Sequence, residues 1–460
     1  MNKKIIIGST IVASLAIIIC LLITNKQEQL EKTTKQEQYE KIKATILTIN
    51  DDNIVVQDDK NIIYTFNGKN INEQVGTDII IEYTGLTEEN NNKVGKIINY
   101  EIAPTATTED GISESWLDKG IFSDYYILAN NKLKQLSLEE KIGQILLVRY
   151  PNNNQKEELN KYQFGGYIFF EKDFKNKTKD EVKNMIKELQ ETSKIPIITA
   201  VDEEGGKVVR ISSNPNLAPE KFKSPKELYD LGGFNLIKQD TIEKSNLLNE
   251  LGINVNLAPV VDISTDSNDY IYERTIGENE KITSEYAKTV IEASKNTKVS
   301  YVLKHFPGYG NNKDTHTGSS IDERTYDEIL NNDIKPFEAG IKSNAEAILV
   351  SHNIVNSIDN NNPASLSPNV HNLLRNNLNF TGIIITDDLD MSAVSNMDDS
   401  IIKAITAGND LIITTDYKKS IDVIKTAIEN KTISEEQINK LAFRVIAWKY
   451  YKGLILENQK

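Results

Sequence analysis

Apolar residues along this chain fall into three arrangements. The first is an uninterrupted, weakly polar to apolar stretch from Ile5 to Thr24, preceded by Lys3 and Lys4. About twenty residues at about 1.5 Å each span the roughly 30 Å core of a bilayer. A cleaved signal usually has a shorter apolar core of about 7–15 residues and a small-residue cleavage site. Neither feature is present, so an uncleaved transmembrane helix is expected over 1–24. The body would then lie outside the cytoplasm, or be secreted if the segment is removed. A Gln/Glu/Lys-rich stalk follows over 25–40.

The second arrangement occupies residues 41–105. Short β-type runs, such as Ala44–Ile49, Asn53–Gln57, Ile62–Phe66 and Thr77–Tyr83, are separated by Asp, Asn and Gly turns. Four or five strands predict a small all-β barrel or sandwich, read as a spacer rather than a binding module. A Thr/Glu/Ser-rich linker is expected over 106–118.

The third arrangement fills 119–460. Eight apolar runs alternate with amphipathic segments: Ile145–Val148, Gly166–Phe170, Ile195–Val201, Ile253–Val260, Val299–Leu303, Ala347–Val350, Gly382–Ile385 and Asp410–Thr414. Eight strand–helix repeats predict an α/β fold, a (β/α)8 TIM barrel. The rival, a doubly wound open sheet, calls for a Gly-rich phosphate turn after its first strand. None is present.

Composition narrows the function. Apolar content of 39% and charged content of 26% are those of a folded protein. A net charge of −14 with no Lys/Arg cluster argues against a nucleic-acid partner. The single cysteine, Cys20, excludes an intrachain disulfide and a thiol-based zinc site. No cofactor or metal is implied, since no His/Asp/Glu spacing suggests ligands.

In a barrel the site forms where strands end. The third run ends in Asp202, with Arg210 beyond it, and Arg274 follows the fourth. Lys304 and His305 end the fifth, with Asp314 and His316 downstream. Ser351-His352 end the sixth, and Asp387-Asp388 the seventh. A buried strand ending in Lys-His would be costly without partners. This convergence suits a site that grips a polyhydroxyl ligand and performs acid–base or nucleophilic work.

Val201-Asp-Glu-Glu-Gly-Gly-Lys-Val-Val-Arg210, Lys304-His-Phe-Pro-Gly308, Pro363-Ala-Ser-Leu-Ser367 and Thr386-Asp-Asp-Leu-Asp-Met391 resemble glycoside hydrolase family 3. The Asp314-x-His316 pair is similar to that of the family's β-N-acetylglucosaminidase branch. The resemblance covers residues 130–450 or so. It implies retaining hydrolysis, with Asp387 as nucleophile and His316 as general acid and base oriented by Asp314. It further implies that Asp202, Arg210, Arg274, Lys304 and His305 hold the sugar. The partner would be an N-acetylglucosamine glycan, with cell-wall material favoured by the expected anchor. Tyr309 stands where family members often carry a second histidine.

Blander readings accompany each residue. Asp387 could merely cap a helix, and Asp388 is the alternative nucleophile. Arg210 and Arg274 could form structural ion pairs. His352 is expected behind the site and His371 on the surface of an amphipathic helix. The rival functions are a β-glucosidase, a glycoside phosphorylase, and an inactive wall-binding anchor.

Overall fold

The computed structural model describes residues 39–456 apart from 50–52, 61, 68–76, 90–91, 104–106, 311–319 and 398. The anchor expected over 1–24 and nearly all of the stalk therefore lie outside the described residues. Among the described residues, no helix is long and apolar enough to cross a membrane. The chain divides into two units.

The first unit carries strands β1 (Glu40–Ile49), β2 (Asn53–Asp58), β3 (Ile63–Asn67), β4 (Asp78–Glu89) and β5 (Asn92–Ile102). They close into a barrel in the order β1-β2-β3-β5-β4. Alternation places Ile54, Val56, Tyr64, Phe66, Ile79 and Ile81 inside. The Phe66 ring packs 5.2 Å from that of Tyr83. With no Cβ on Gly95 the barrel can close tightly, since one would sit 2.9 Å from Phe66 Cε1.

The second unit is built on eight strands. They are β6 (Leu146–Arg149), β7 (Gly166–Phe169), β8 (Ile198–Val201), β9 (Val255–Asn256), β10 (Ser300–Phe306), β12 (Ala347–Val350), β14 (Ile383–Thr386) and β15 (Ile412–Thr414). The sheet runs β14-β12-β10-β9-β8-β7-β6-β15. Every recorded pairing is parallel. Its outer strands meet through one parallel bridge from Ile385 to Leu411, so the sheet is nearly closed. A separate pair, β11 (Ile321–Asp322) and β13 (Ile354–Val355), lies apart from it.

Strands buried on both faces need covering helices, which explains their unbroken apolar runs. The helix Lys179–Thr192 is typical. Thr178 and Glu181 form a capping box at its start. Val182, Ile186 and Leu189 then recur on one buried face. Each such aliphatic side chain contributes about 1.5–3 kcal/mol when fully buried. Ser137, Ser224, Thr325 and Ser434 open other helices with the same box.

Two segments differ from their sequence-level reading. The fourth apolar run pairs regularly only at Val255–Asn256. Asn254 and Asn256 also turn their side-chain carbonyls onto the amides of Thr199 and Glu203, each at 2.9 Å. The segment expected as a linker is packed within the second unit. Ile112 is buried in its core, and Trp116 lies 5.5 Å from the Phe443 ring.

Candidate functional site

The C-terminal strand ends converge on a charged rim. Lys304, at the end of β10 and only 2% exposed, reaches Asp202 Oδ1 at 2.8 Å and Glu204 Oε1 at 2.7 Å. Arg274 clasps Glu204 bidentately, Nε to Oε2 at 2.9 Å and Nη2 to Oε1 at 2.7 Å. Arg210 Nη2 lies 3.5 Å from Asp202 Oδ2. Burial works against both carboxylates ionising. For Asp202 the Lys304 and Arg210 charges outweigh it; for Glu204 those of Arg274 and Lys304 do, and both pKa values end below the usual range. Burial likewise opposes the Lys304 ammonium, but Asp202 and Glu204 hold its pKa above normal.

His305 is held from two sides. Its Nδ1 lies 2.8 Å from Asp262 Oδ2, and its Nε2 lies 3.3 Å from Arg274 Nη2. A guanidinium can only donate. Nε2 therefore presents its lone pair to Arg274, and the ring proton sits on Nδ1 facing Asp262. Asp262 also accepts from the amides of His305 and Tyr309, at 3.1 and 2.7 Å.

The turn after Glu204 has a backbone reason. Gly205 and Gly206 adopt φ of +104° and +63°, and a Cβ on Gly205 would stand 2.1 Å from Lys223 O. Glu203, one residue from the ion-pair cluster, does different work. Its carboxylate accepts from the Arg210 and Ile211 amides at 2.7 Å each, which ties down the loop that carries Arg210.

Asp387 and Asp388 follow β14 on the same rim. The Asp387 amide donates to Val350 O at 2.9 Å, tying the segment to β12. Its carboxylate accepts only from the Asp388 amide among the described residues, at 2.9 Å. Asp388 is pushed up to about 6 by burial and by the charges of Asp390 and Asp387. His352 sits beneath, with Nε2 2.9 Å from Asp388 O and Nδ1 2.6 Å from Ser365 Oγ.

Of the eight residues singled out from sequence, the structure thus gathers Asp202, Arg210, Arg274, Lys304 and His305 in one bonded cluster, and sets Asp387 on the same rim. Asp314 and His316 lie outside the described residues. His371, expected at the surface, is buried: it is 3% exposed and its Nδ1 lies 2.8 Å from Ser367 O. Its helix, Pro368–Asn372, runs straight into a π-helical turn, Leu373–Asn377, whose wider winding departs from the 3.6-residue period used to judge which side faces inward. Sequence reasoning passed over Glu204, Asp262 and Glu203. Asp262 follows the fourth run just as the chosen residues follow theirs, so the strand-end rule could have found it. Among the described residues no three His, Cys, Asp or Glu side chains converge to hold a metal.

A nearly closed eight-stranded parallel sheet whose strand ends carry an acid pair beside a cation-lined cluster defines a barrel of the glycoside hydrolase type. Residues 137–448 match the glycosyl hydrolase family 3 N terminal domain. The chain belongs to glycosyl hydrolase family 3. It is 27% identical over 320 residues to β-hexosaminidase A of Pseudoalteromonas piscicida, covering 63% of this chain and 54% of that protein. It is 28% identical over 283 residues to a β-hexosaminidase of Haemophilus influenzae, covering 60% and 79%. A glycoside hydrolase family 3 β-N-acetylglucosaminidase from Paenibacillus sp. str. FPU-7 superposes with a TM-score of 0.65 at 25% identity, over 69% of this chain and 63% of that one. The chain therefore spans about half the length of the first relative and under two thirds of this structure.

Proposed function

We propose that this protein is a retaining β-N-acetylglucosaminidase that releases terminal β-linked N-acetylglucosamine from peptidoglycan or its fragments. The observation that carries the reading is the position of Asp387. It ends a barrel strand within the family match, on the rim that holds Asp202, Lys304 and His305, and relatives carrying the β-hexosaminidase name share that barrel.

In this reading an Asp387 oxygen attacks the anomeric carbon. The glycosidic C–O bond breaks, and His316, oriented by Asp314, gives its proton to the leaving oxygen. Water then attacks the anomeric carbon and returns a proton to His316, freeing Asp387. Asp202, Arg210, Arg274, Lys304 and His305 hold hydroxyls and the acetamido group through charge-assisted hydrogen bonds. The apolar stretch ending at Thr24 supports a membrane tether with the enzyme outside the cytoplasm. The β1–β5 barrel serves as a spacer.

The test uses the full chain in detergent, with chromogenic β-N-acetylglucosaminide and β-glucoside substrates, and with Asp387→Ala and His316→Ala beside it. Turnover of the first substrate alone is expected, lost by about a thousandfold or more in Asp387→Ala. A slowly hydrolysed fluorosugar should leave a covalent mass adduct on the Asp387 peptide. Preference for the glucoside, or product formation only with phosphate present, would replace this reading. A folded protein that turns over neither substrate would leave a wall-binding anchor.

A further inference from the structure

Among the described residues, the cations of the rim are paired with carboxylates, with one exception. Lys304 and Arg274 are bonded to carboxylates, and Arg210 leans on Asp202. Arg149 is different. It ends β6 opposite Ile168 of β7, and β15 alone separates β6 from β14, the strand that leads into Asp387. No carboxylate hydrogen-bonds its guanidinium among the described residues, and its Nε, like that of Arg210, is buried without a partner. Its charge nevertheless reaches Asp388 and Asp173, opposing the burial that raises the pKa of each.

What holds it is Phe170, the residue after β7. The Arg149 guanidinium lies 3.9 Å from the ring centroid, and Arg210 approaches the same ring at 5.2 Å. A cation–π stack of this kind is attractive and fixes the plane of the fork. With Nε buried, the terminal nitrogens are the donors left for a ligand. Two like charges gathered at one ring repel each other, and no carboxylate within the described residues pairs directly with Arg149, Asp388 and Asp173 reaching it only at longer range. Planar paired donors suit an oxyanion, above all a carboxylate taken bidentately.

We propose that Arg149, seated on Phe170 with Arg210 beside it, forms an oxyanion subsite next to the scissile bond, taking a carboxylate carried by the glycan. Inorganic phosphate is the second source of the same chemistry. The proposal deepens the glycosidase reading and rests on it. Arg149 is a specificity-determining residue here, not a group that moves protons or bonds.

The test compares the full-length protein with Arg149→Gln and Arg149→Lys. The substrates are an aryl β-N-acetylglucosaminide bearing a carboxylate on its leaving group and the methyl ester of the same compound. Each is assayed with and without inorganic phosphate. Intrinsic reactivity cancels when the acid-to-ester ratio of kcat/KM is compared between proteins. That ratio should fall about tenfold in Arg149→Gln, mainly through KM, and only partly in Arg149→Lys, which keeps the charge but loses the fork. If phosphate is the ligand, it should change wild-type kinetics and leave Arg149→Gln unmoved. A ratio that Arg149→Gln does not alter, with phosphate acting equally on both proteins or on neither, overturns the subsite. Should wild type hydrolyse neither compound, the hydrolase reading fails by itself. Calorimetric titration of the acid and of phosphate into wild type and Arg149→Gln then decides the subsite, which stands if either binds only the wild type and falls otherwise.

Discussion

Arg274 and Lys304 meet at a single oxygen: each places a nitrogen 2.7 Å from Oε1 of Glu204, a carboxylate whose side chain is almost wholly buried. Removing one member of such a buried cluster strands the others. Glu204→Ala should cost about 3–5 kcal/mol of stability, read from denaturant unfolding. The milder Glu204→Gln tests the charge. The cations hold the Glu204 pKa below its unfolded value, so its contribution is present above about pH 4.3 and fades as pH falls toward the folded pKa. Wild type should lose stability faster than Glu204→Gln below about pH 4. Parallel curves would refute the assignment.

Asp262 holds His305 by side chain and by backbone, and also accepts the Tyr309 amide. It does not itself need to touch substrate. Asp262→Ala should reduce kcat/KM by about ten- to a hundredfold, the equivalent of a charged hydrogen bond worth about 1.5–3 kcal/mol. Asp262→Asn, which can still accept, should recover part of the loss. Equal losses in the two variants would mean that packing, not the hydrogen bond to Nδ1, is what matters.

Asp388 offers a pH signature of the opposite sign. Burial raises its folded pKa to about 6, above the ordinary value near about 3.9. The folded state then binds the proton more tightly, so this group lowers stability as pH rises from about 4 to about 6. Asp388→Asn keeps an oxygen for the Asp390 amide, which donates at 3.0 Å. The variant should gain on the order of 1–2 kcal/mol relative to wild type across that window, measured by unfolding at closely spaced pH values. A difference that stays constant with pH would disprove the perturbed titration.

Asp410 provides a contrast away from the rim. It is 1% exposed, accepts the Ile384 amide at 2.8 Å and pairs with Arg375 and Arg444. Asp410→Ala should therefore cost about 3–5 kcal/mol of stability while the folded fraction keeps a kcat within about threefold of wild type. A large loss of kcat without unfolding would place Asp410 in the chemistry after all.

The eight strands could be read from sequence because each is a short apolar run buried on both faces, and such runs stand out between amphipathic helices. The exception is instructive. Ile253–Val260 looked like one long strand, yet only Val255–Asn256 forms a regular strand; beyond it the backbone still bonds its neighbours, as at Leu257 N to Val201 O and Lys304 N to Pro259 O, but Pro259 has no amide to donate. His371 failed because its helix passes into a π-helical turn at Leu373, which shifts the faces that a 3.6-residue period predicts. Arg149 ends the first strand and Phe170 follows the second without a motif around them, so nothing in the local sequence marks them as partners.

By itself the sequence determined where strands end, and therefore which polar residues share a rim, because strand ends follow from local apolar patterning. It could not tell Glu203 from its neighbour. Successive side chains of extended backbone point to opposite sides, so one ties the Arg210 loop while the other enters the ion-pair cluster. Nor could it assign a cation to each carboxylate. Arg274 lies 70 residues from Glu204 in the chain, and Lys304 lies 102 from Asp202. Those partnerships are set only when the sheet curls and burial strips water from the charges, leaving each the nearest opposite charge as its means of compensation.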